Sequence, residues 1–173
     1  IYRRFDLPVR RFLLELAPFE RLNLEMARMV SGDPHAGDRL DWLLRHTTML
    51  RYDDVQHFRF WPQFRSFLLW EMEREYSEEK RRALFSRGAL YYELKEDYAH
   101  ALECYTRCGD HAKVSELLIR NAELHPGMGH YSEMEKYYRS LPEAEIAASP
   151  ALMQGMSMLC ALAMDYEGSE RWY

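Results

Sequence analysis

A tyrosine-centred spacing recurs three times in the second half of the chain, and no other feature of the sequence narrows the fold as much. Tyr98-x-x-Ala101-x-x-x-Tyr105 returns as Tyr131-x-x-Met134-x-x-x-Tyr138 and again as Tyr166-x-x-Ser169-x-x-x-Tyr173. The copies begin 33 and then 35 residues apart. Within each copy the key positions fall three and four residues apart, as they do on one face of a helix. A period of that length is met by helical hairpins that bury their apolar faces only by stacking on one another. Helices are expected near 78–95, 98–108, 111–124, 130–141, 150–164 and from 166 onward, with breaks at Pro126-Gly127 and Leu141-Pro142.

The best copy, from Gly88 through Tyr91, Asp97, Tyr98, Ala101 and Tyr105 to Cys108, resembles the tetratricopeptide repeat, with one extra residue in its turn. In that reading Gly88 and Ala101 let two helices approach closely, and Tyr91 and Tyr105 fill the space between them. The tyrosines are expected to be core. The resemblance puts Arg82, Phe85, Ala89, Tyr92 and Glu93 on the concave face of the first repeat, where an aromatic flanked by opposite charges suits a small polar effector or a peptide. The same residues would equally serve to pack this terminal repeat against the helix from Phe64 to Tyr76, since the end of an array needs a cap.

The first half reads as a winged helix. Asp6 caps a helix with Pro8 in its first turn and Val9, Phe12, Leu13 and Leu16 on one face. Pro18 ends it. Asn23 caps a second helix with Leu24, Ala27 and Val30, stopped at Ser31-Gly32-Asp33-Pro34. A third runs from Ala36 to about His46 with Leu40, Leu43 and Leu44. Thr47 to Tyr52, an Asp53-Asp54 turn and Gln56 to Trp61 then form a hairpin. Phe58 and Phe60 alternate with Arg59 as a strand. Pro62 opens a helix carrying Phe64, Phe67, Leu68, Met72 and Tyr76, and the aromatic density of this joint suggests burial on both sides. The fold class is therefore mostly α: a small winged helix of three helices plus a β-hairpin, followed by a tetratricopeptide-like array. Residues 1–62 form the winged helix, 63–76 a connecting helix and 77–173 the repeats.

Charge limits what this winged helix can do. Residues 1–76 hold 12 Arg, no Lys and 12 acidic residues, whereas 77–173 hold 11 basic and 16 acidic, so the net −5 lies entirely in the second half. Neither half has the excess of positive charge that phosphate binding uses. The third helix offers Asp38 and Asp41 beside Arg39 and Arg45, and the wing tip is Asp53-Asp54. Direct reading of DNA by this domain is disfavoured, and packing against protein is the better reading.

Chemistry is sparse. His100, Cys104 and Cys108 lie at i, i+4 and i+8 with His111 beyond, but such a ladder spreads over about 12 Å of helix and cannot converge on one tetrahedral ion. No bound metal is expected. The sequence contains no GxxxxGK[ST], GxSxG or HExxH motif, so no catalytic residue is assigned. Three cysteines, none in the first half, do not form a disulfide framework, and with no signal peptide visible they point to a cytoplasmic setting. The longest apolar run, Ala151 to Met164, is interrupted by Gln154 and is too short for a bilayer, which needs about 20 residues. Beginning at Ile1 and stopping at Tyr173 within a helical pattern, the chain reads as a piece of a longer protein.

Phe58-Arg59-Phe60-Trp61-Pro62-Gln63-Phe64-Arg65-Ser66-Phe67-Leu68, followed by Leu84 to Tyr92 and Leu141-Pro142, carries a wider resemblance. The chain resembles the middle of the large LuxR-type transcriptional activators related to MalT, members of the STAND class of signal-transduction ATPases. The resemblance implies an ATPase domain before the winged helix, an inducer-binding or partner-binding superhelix and a C-terminal helix-turn-helix that binds DNA. ATP or ADP would belong to the complete protein and no cofactor to these residues. The family usually has His before the Pro of this segment, near the nucleotide phosphates, and Trp61 stands there instead. Gln63 stands where a Leu is common. The expectation is a fragment of a signal-responsive transcriptional regulator without enzymatic activity of its own. Its rival is a tetratricopeptide-type protein-binding scaffold with no DNA-related role.

Overall fold

In a computed structural model of the chain, described for residues 2–125 and 127–173, helices dominate and one two-stranded hairpin interrupts them. The chain divides into two compact units, residues 1–95 and 96–173.

The first unit opens with a 3-10 turn at Tyr2–Arg4, followed by α1 (Leu7–Leu16), α2 (Leu24–Ser31) and α3 (Ala36–His46). Asp6 caps α1 by accepting from the Val9 N–H at 3.1 Å, and Asn23 caps α2 through Met26 at 2.8 Å. Gly32 closes α2 at φ +63°, a left-handed conformation that only glycine adopts without strain. Phe12, Leu13, Leu16, Met26, Val30, Leu40 and Leu43 form the core. Strands β1 (Leu50–Tyr52) and β2 (Phe58–Phe60) pair antiparallel, with Leu50 opposite Phe60. Leu22 adds a third, one-residue strand: it exchanges both backbone hydrogen bonds with Phe58, at 2.8 and 2.9 Å. With three helices and a small sheet, the winged helix expected from the sequence is present.

Helices α4 (Pro62–Glu75) and α5 (Glu78–Leu94) complete this unit. Tyr76 ends α4 as its C-cap, and Ser77 caps α5 by accepting from Lys80 N–H at 3.2 Å. Arg65 ties α4 to the end of α1, donating from Nε to the Ala17 carbonyl at 2.9 Å and from Nη2 to the Pro18 carbonyl at 3.0 Å. Helix α5 lies along α2. Gly88 there meets the Phe19 ring, Asn23 donates to the Tyr91 hydroxyl at 2.8 Å, and Lys95 pairs with Glu25 at 2.7 Å. The close approach that the sequence assigns to Gly88 and Tyr91 within a repeat hairpin is thus made onto the winged helix. The reason is steric: without a Cβ, Gly88 admits an aromatic edge from Phe19.

The second unit is a helical array: α6 (Tyr98–Cys108), α7 (His111–Leu124), α8 (Met128–Ser140), α9 (Glu143–Ala147), α10 (Pro150–Leu162) and α11 (Tyr166–Trp172). Asp97, Asp110, Ser149 and Asp165 cap α6, α7, α10 and α11. Pro126, half of one expected break, lies outside the described residues. The short α9 was not expected from the sequence, because five residues after Pro142 carry too little periodicity to read. Ala101, Tyr105, Tyr131 and Tyr138 are buried as expected. Tyr166 and Tyr173 are not: both are exposed, and α11 docks on α10 through Ser169, whose carbonyl and hydroxyl each lie 3.0 Å from Ser157 Oγ.

Candidate functional site

The joint between winged helix and array is less buried than its aromatic content suggests. Leu68 and Met72, four residues apart, face the core, whereas Phe64, Phe67 and Trp70 recur every third residue and drift onto another face. Trp61 is 44% exposed, Phe67 36% and Trp70 53%. Their rings form a continuous run: Phe60 to Phe64 at 6.0 Å between centroids, Phe64 to Phe67 at 6.2 Å and Phe67 to Trp70 at 6.4 Å, with Tyr2 edge-on to Phe67 at 5.4 Å. Arg51 lies 4.7 Å above the Trp61 ring and Arg74 4.5 Å above that of Trp70. A groove of about 720 Å³ runs alongside, lined by Tyr2, Met49, Trp61, Gln63, Phe64 and Phe67 among others. Exposed aromatics in a contiguous patch, stacked with guanidinium groups, mark an interaction surface.

Trp61 is held firmly within this surface. Its backbone N–H donates to the Met49 carbonyl at 2.9 Å, the residue forms the N-cap of α4, and Pro62 fixes the first turn. The indole offers one neutral donor, so toward a phosphate it could supply a single uncharged hydrogen bond.

The second predicted site, on α5, divides. Arg82 is exposed and bonds to Glu78 at 2.6 Å one turn earlier. Ala89 is fully buried. Phe85 and Tyr92 are half-buried, both in ring contact with Phe19, at 6.3 and 6.5 Å. Glu93 is likewise half-buried. The aromatic members of this set therefore pack on the segment leading into α2.

The surfaces that a DNA-reading winged helix would use are self-neutralised or acidic. At the wing, Asp53 bonds Arg59 at 2.6 Å and Arg21 at 3.1 Å, and Asp54 holds Arg21 and the His57 ring. Hydrogen bonds from Arg59 and, for Asp54, from the Gln56 N–H and the His57 ring hold both carboxyls below the usual range. On α3, Asp38 and Asp41 are exposed, and Arg45 stands 3.6 Å from Asp41.

Among the described residues no group of three His, Cys, Asp or Glu side chains converges as metal ligands, and no helix is long and apolar enough to cross a membrane. His100 is turned to Asp97, at 2.8 Å, and the Cys108 thiol donates to the Tyr105 carbonyl at 3.3 Å. Burial pushes the Cys104 thiol up to about 12. At pH 8 its thiolate is then roughly one part in ten thousand, so Cys104 is expected to escape a thiol-specific disulfide reagent while the array stays folded. Peptide mass mapping after labelling checks this. Modification of native Cys104 within minutes would contradict it.

The geometry defines a winged helix whose exposed faces are aromatic or self-paired rather than basic, continued by a helical array. Residues 1–80, from the first turn into the start of α5, match the family model described as the MalT winged helix domain. No curated protein matches the chain. The match, over 80 of the 173 residues, supports a MalT-like regulator and points to transcription regulation in general.

The sequence missed the outward aromatic stripe of α4. Its signal was present in the three-residue recurrence of Phe64, Phe67 and Trp70, set against the four-residue recurrence of Leu68 and Met72.

Proposed function

We propose that these residues are the regulatory winged helix and the first part of the sensor array of a signal-responsive, MalT-like transcriptional regulator of the large LuxR type and STAND class. The observation carrying this reading is the match of residues 1–80 to the MalT winged helix domain. The winged helix serves as a packing module for protein, in keeping with the carboxylates on α3 and at the wing tip. Its partner is the regulator's own ATPase domain, docked on the aromatic surface of Trp61, Phe64, Phe67 and Trp70. The helices after Glu96 form a tetratricopeptide-like array that takes a small-molecule inducer or a protein. Catalysis and ATP or ADP belong to the ATPase domain, and DNA contact to a C-terminal helix-turn-helix. The setting is cytoplasmic.

The full-length gene is the direct test. A phosphate-loop domain upstream and a helix-turn-helix downstream support the reading, and absence of both defeats it. Trp61 gives a finer one. In this reading the indole packs at the domain interface and leaves the nucleotide alone, whereas a protonated His at that position adds a charge-assisted bond roughly twice as strong as a neutral one. The full-length Trp61→His variant is therefore expected to hold ADP at least as tightly as the parent in a calorimetric titration. Weaker ADP binding in the variant would show that Trp61 already serves the nucleotide.

A further inference from the structure

A second cavity in the first unit, of about 550 Å³, opens between α1, the turn joining α2 to α3, the end of α4 and the start of α5. Cavities of this size take small organic ligands. Its apolar lining comes from Leu7, Pro8, Phe12, Leu14 and Pro34. Its charges are of both signs, and most are already matched. Glu15, only 1% exposed, accepts from Arg11 Nε at 2.9 Å and from the Tyr76 hydroxyl at 3.5 Å. Asp33 accepts from the Arg39 guanidinium and from the His35 N–H.

Two cations in the lining are left over. Lys80 Nζ sits 3.5 Å over the Tyr76 ring, with no carboxylate partner among the described residues. Arg10 Nε is buried and has no acceptor among the described residues. A buried donor without an acceptor is a rare and costly arrangement, relieved when an acceptor arrives. The only lining carboxylate without a guanidinium or hydroxyl partner of its own among the described residues is Glu75, which is exposed.

We propose that this cavity binds a small organic carboxylate, its charged end at Arg10 and Lys80 and its apolar body against Phe12, Leu14 and Pro34. A carboxylate supplies the acceptor that Arg10 Nε lacks. A dianionic phosphate would carry a second negative charge toward Glu15, Asp33 and Glu75. A cation would find Glu15 and Asp33 already held by Arg11, Tyr76 and Arg39, leaving it only the exposed Glu75. Because the walls come from α1, the α2–α3 turn, α4 and α5, occupancy ties these elements together and stabilises the unit that contains the winged helix. This places a ligand site within the winged-helix unit, apart from the aromatic surface at Trp61.

The test uses the 173-residue chain with 4-phenylbutyrate, its neutral amide and phenyl phosphate as probes, followed by backbone amide shifts and thermal unfolding. The carboxylate is expected to shift residues of α1 and the α2–α3 turn saturably and to raise the melting temperature. The amide should do neither. Arg10→Gln is expected to weaken carboxylate binding at least about tenfold, the scale of a lost charge-assisted hydrogen bond. Leu7→Trp, at the exposed rim, keeps Arg10 but fills the opening, and should also abolish binding if Arg10→Gln fails to fold. Equal response to the amide, tighter binding of phenyl phosphate, undiminished binding by both variants, or no carboxylate binding would each overturn the proposal.

Discussion

Replacing Gly88 by valine is expected to destabilise the first unit by about 2 kcal/mol, because the side chain must enter space that Phe19 already fills. A Cβ at Gly88 would lie 2.2 Å from Phe19 Cε1 and 2.5 Å from Cζ, closer than real atoms come. Phe19 cannot simply swing away. It is 3% exposed and held by ring contacts with Phe85 and Tyr92. Overpacking of this kind costs about 1–3 kcal/mol, and the better helix propensity of valine over glycine returns only about 0.4 kcal/mol. Trp42, Trp61 and Trp70 all lie in the first unit, so tryptophan fluorescence in a urea titration reads this unit chiefly. The variant's midpoint should fall. Phe19→Leu alone is also expected to destabilise, but the double variant should cost less than the two singles together by at least about 0.5 kcal/mol, since the clash is shared. Strict additivity would mean that Gly88 and Phe19 do not meet.

That contact also shows how far the sequence could be read. Helix boundaries were legible because their signals are local. Asp6 and Asn23 cap the helices they precede, and Gly32 closes α2 with the conformation its residue type favours. The small-and-aromatic spacing correctly marked Gly88 and Tyr91 as packing positions. It did not reveal their partners. Phe19 and Asn23 are 69 and 68 residues away, and nothing in a period of 33–35 residues says that the first helix of an array docks on α2. The aromatic segment was legible as strand, turn and helix, yet its burial was not: a helix with one apolar stripe inward and an aromatic one outward reads as uniformly apolar. The cavity beside Arg10 left no local mark either, since α1, the α2–α3 turn and the ends of α4 and α5 build it from four separate stretches. Periodicity reports which face of an element is apolar. Which element meets that face is decided by shape and charge over long sequence separations.

Arg65 makes such a long-range contact, and its removal should be at least as damaging as the clash at Gly88. The carbonyls at the end of a helix have no partner within it, and at α1 the backbone of Ala17 and Pro18 turns inward, Ala17 being fully buried. Arg65, from the first turn of α4, reaches back 48 and 47 residues and donates to these two carbonyls at 2.9 and 3.0 Å. The charge also lies favourably at the negative end of the α1 dipole. Hydrogen bonds from charged groups contribute about 1.5–3 kcal/mol each, but two bonds from one side chain are not additive, so Arg65→Ala is expected to cost about 3 kcal/mol in urea unfolding. Arg65→Lys separates charge from geometry. An ammonium keeps the positive charge yet lacks the planar fork that reaches both carbonyls together, so it should recover no more than about half of the loss. Full recovery by lysine would assign the effect to charge alone, and a neutral Arg65→Ala would show that the two carbonyls do not depend on this contact. Because the same fork sets the direction in which α4 leaves the hairpin, its loss should also disturb the aromatic stripe. Trp61 and Trp70 emission in the folded Arg65→Ala protein is then expected to shift, whereas in folded Arg65→Lys, with one carbonyl still held, the shift should be smaller.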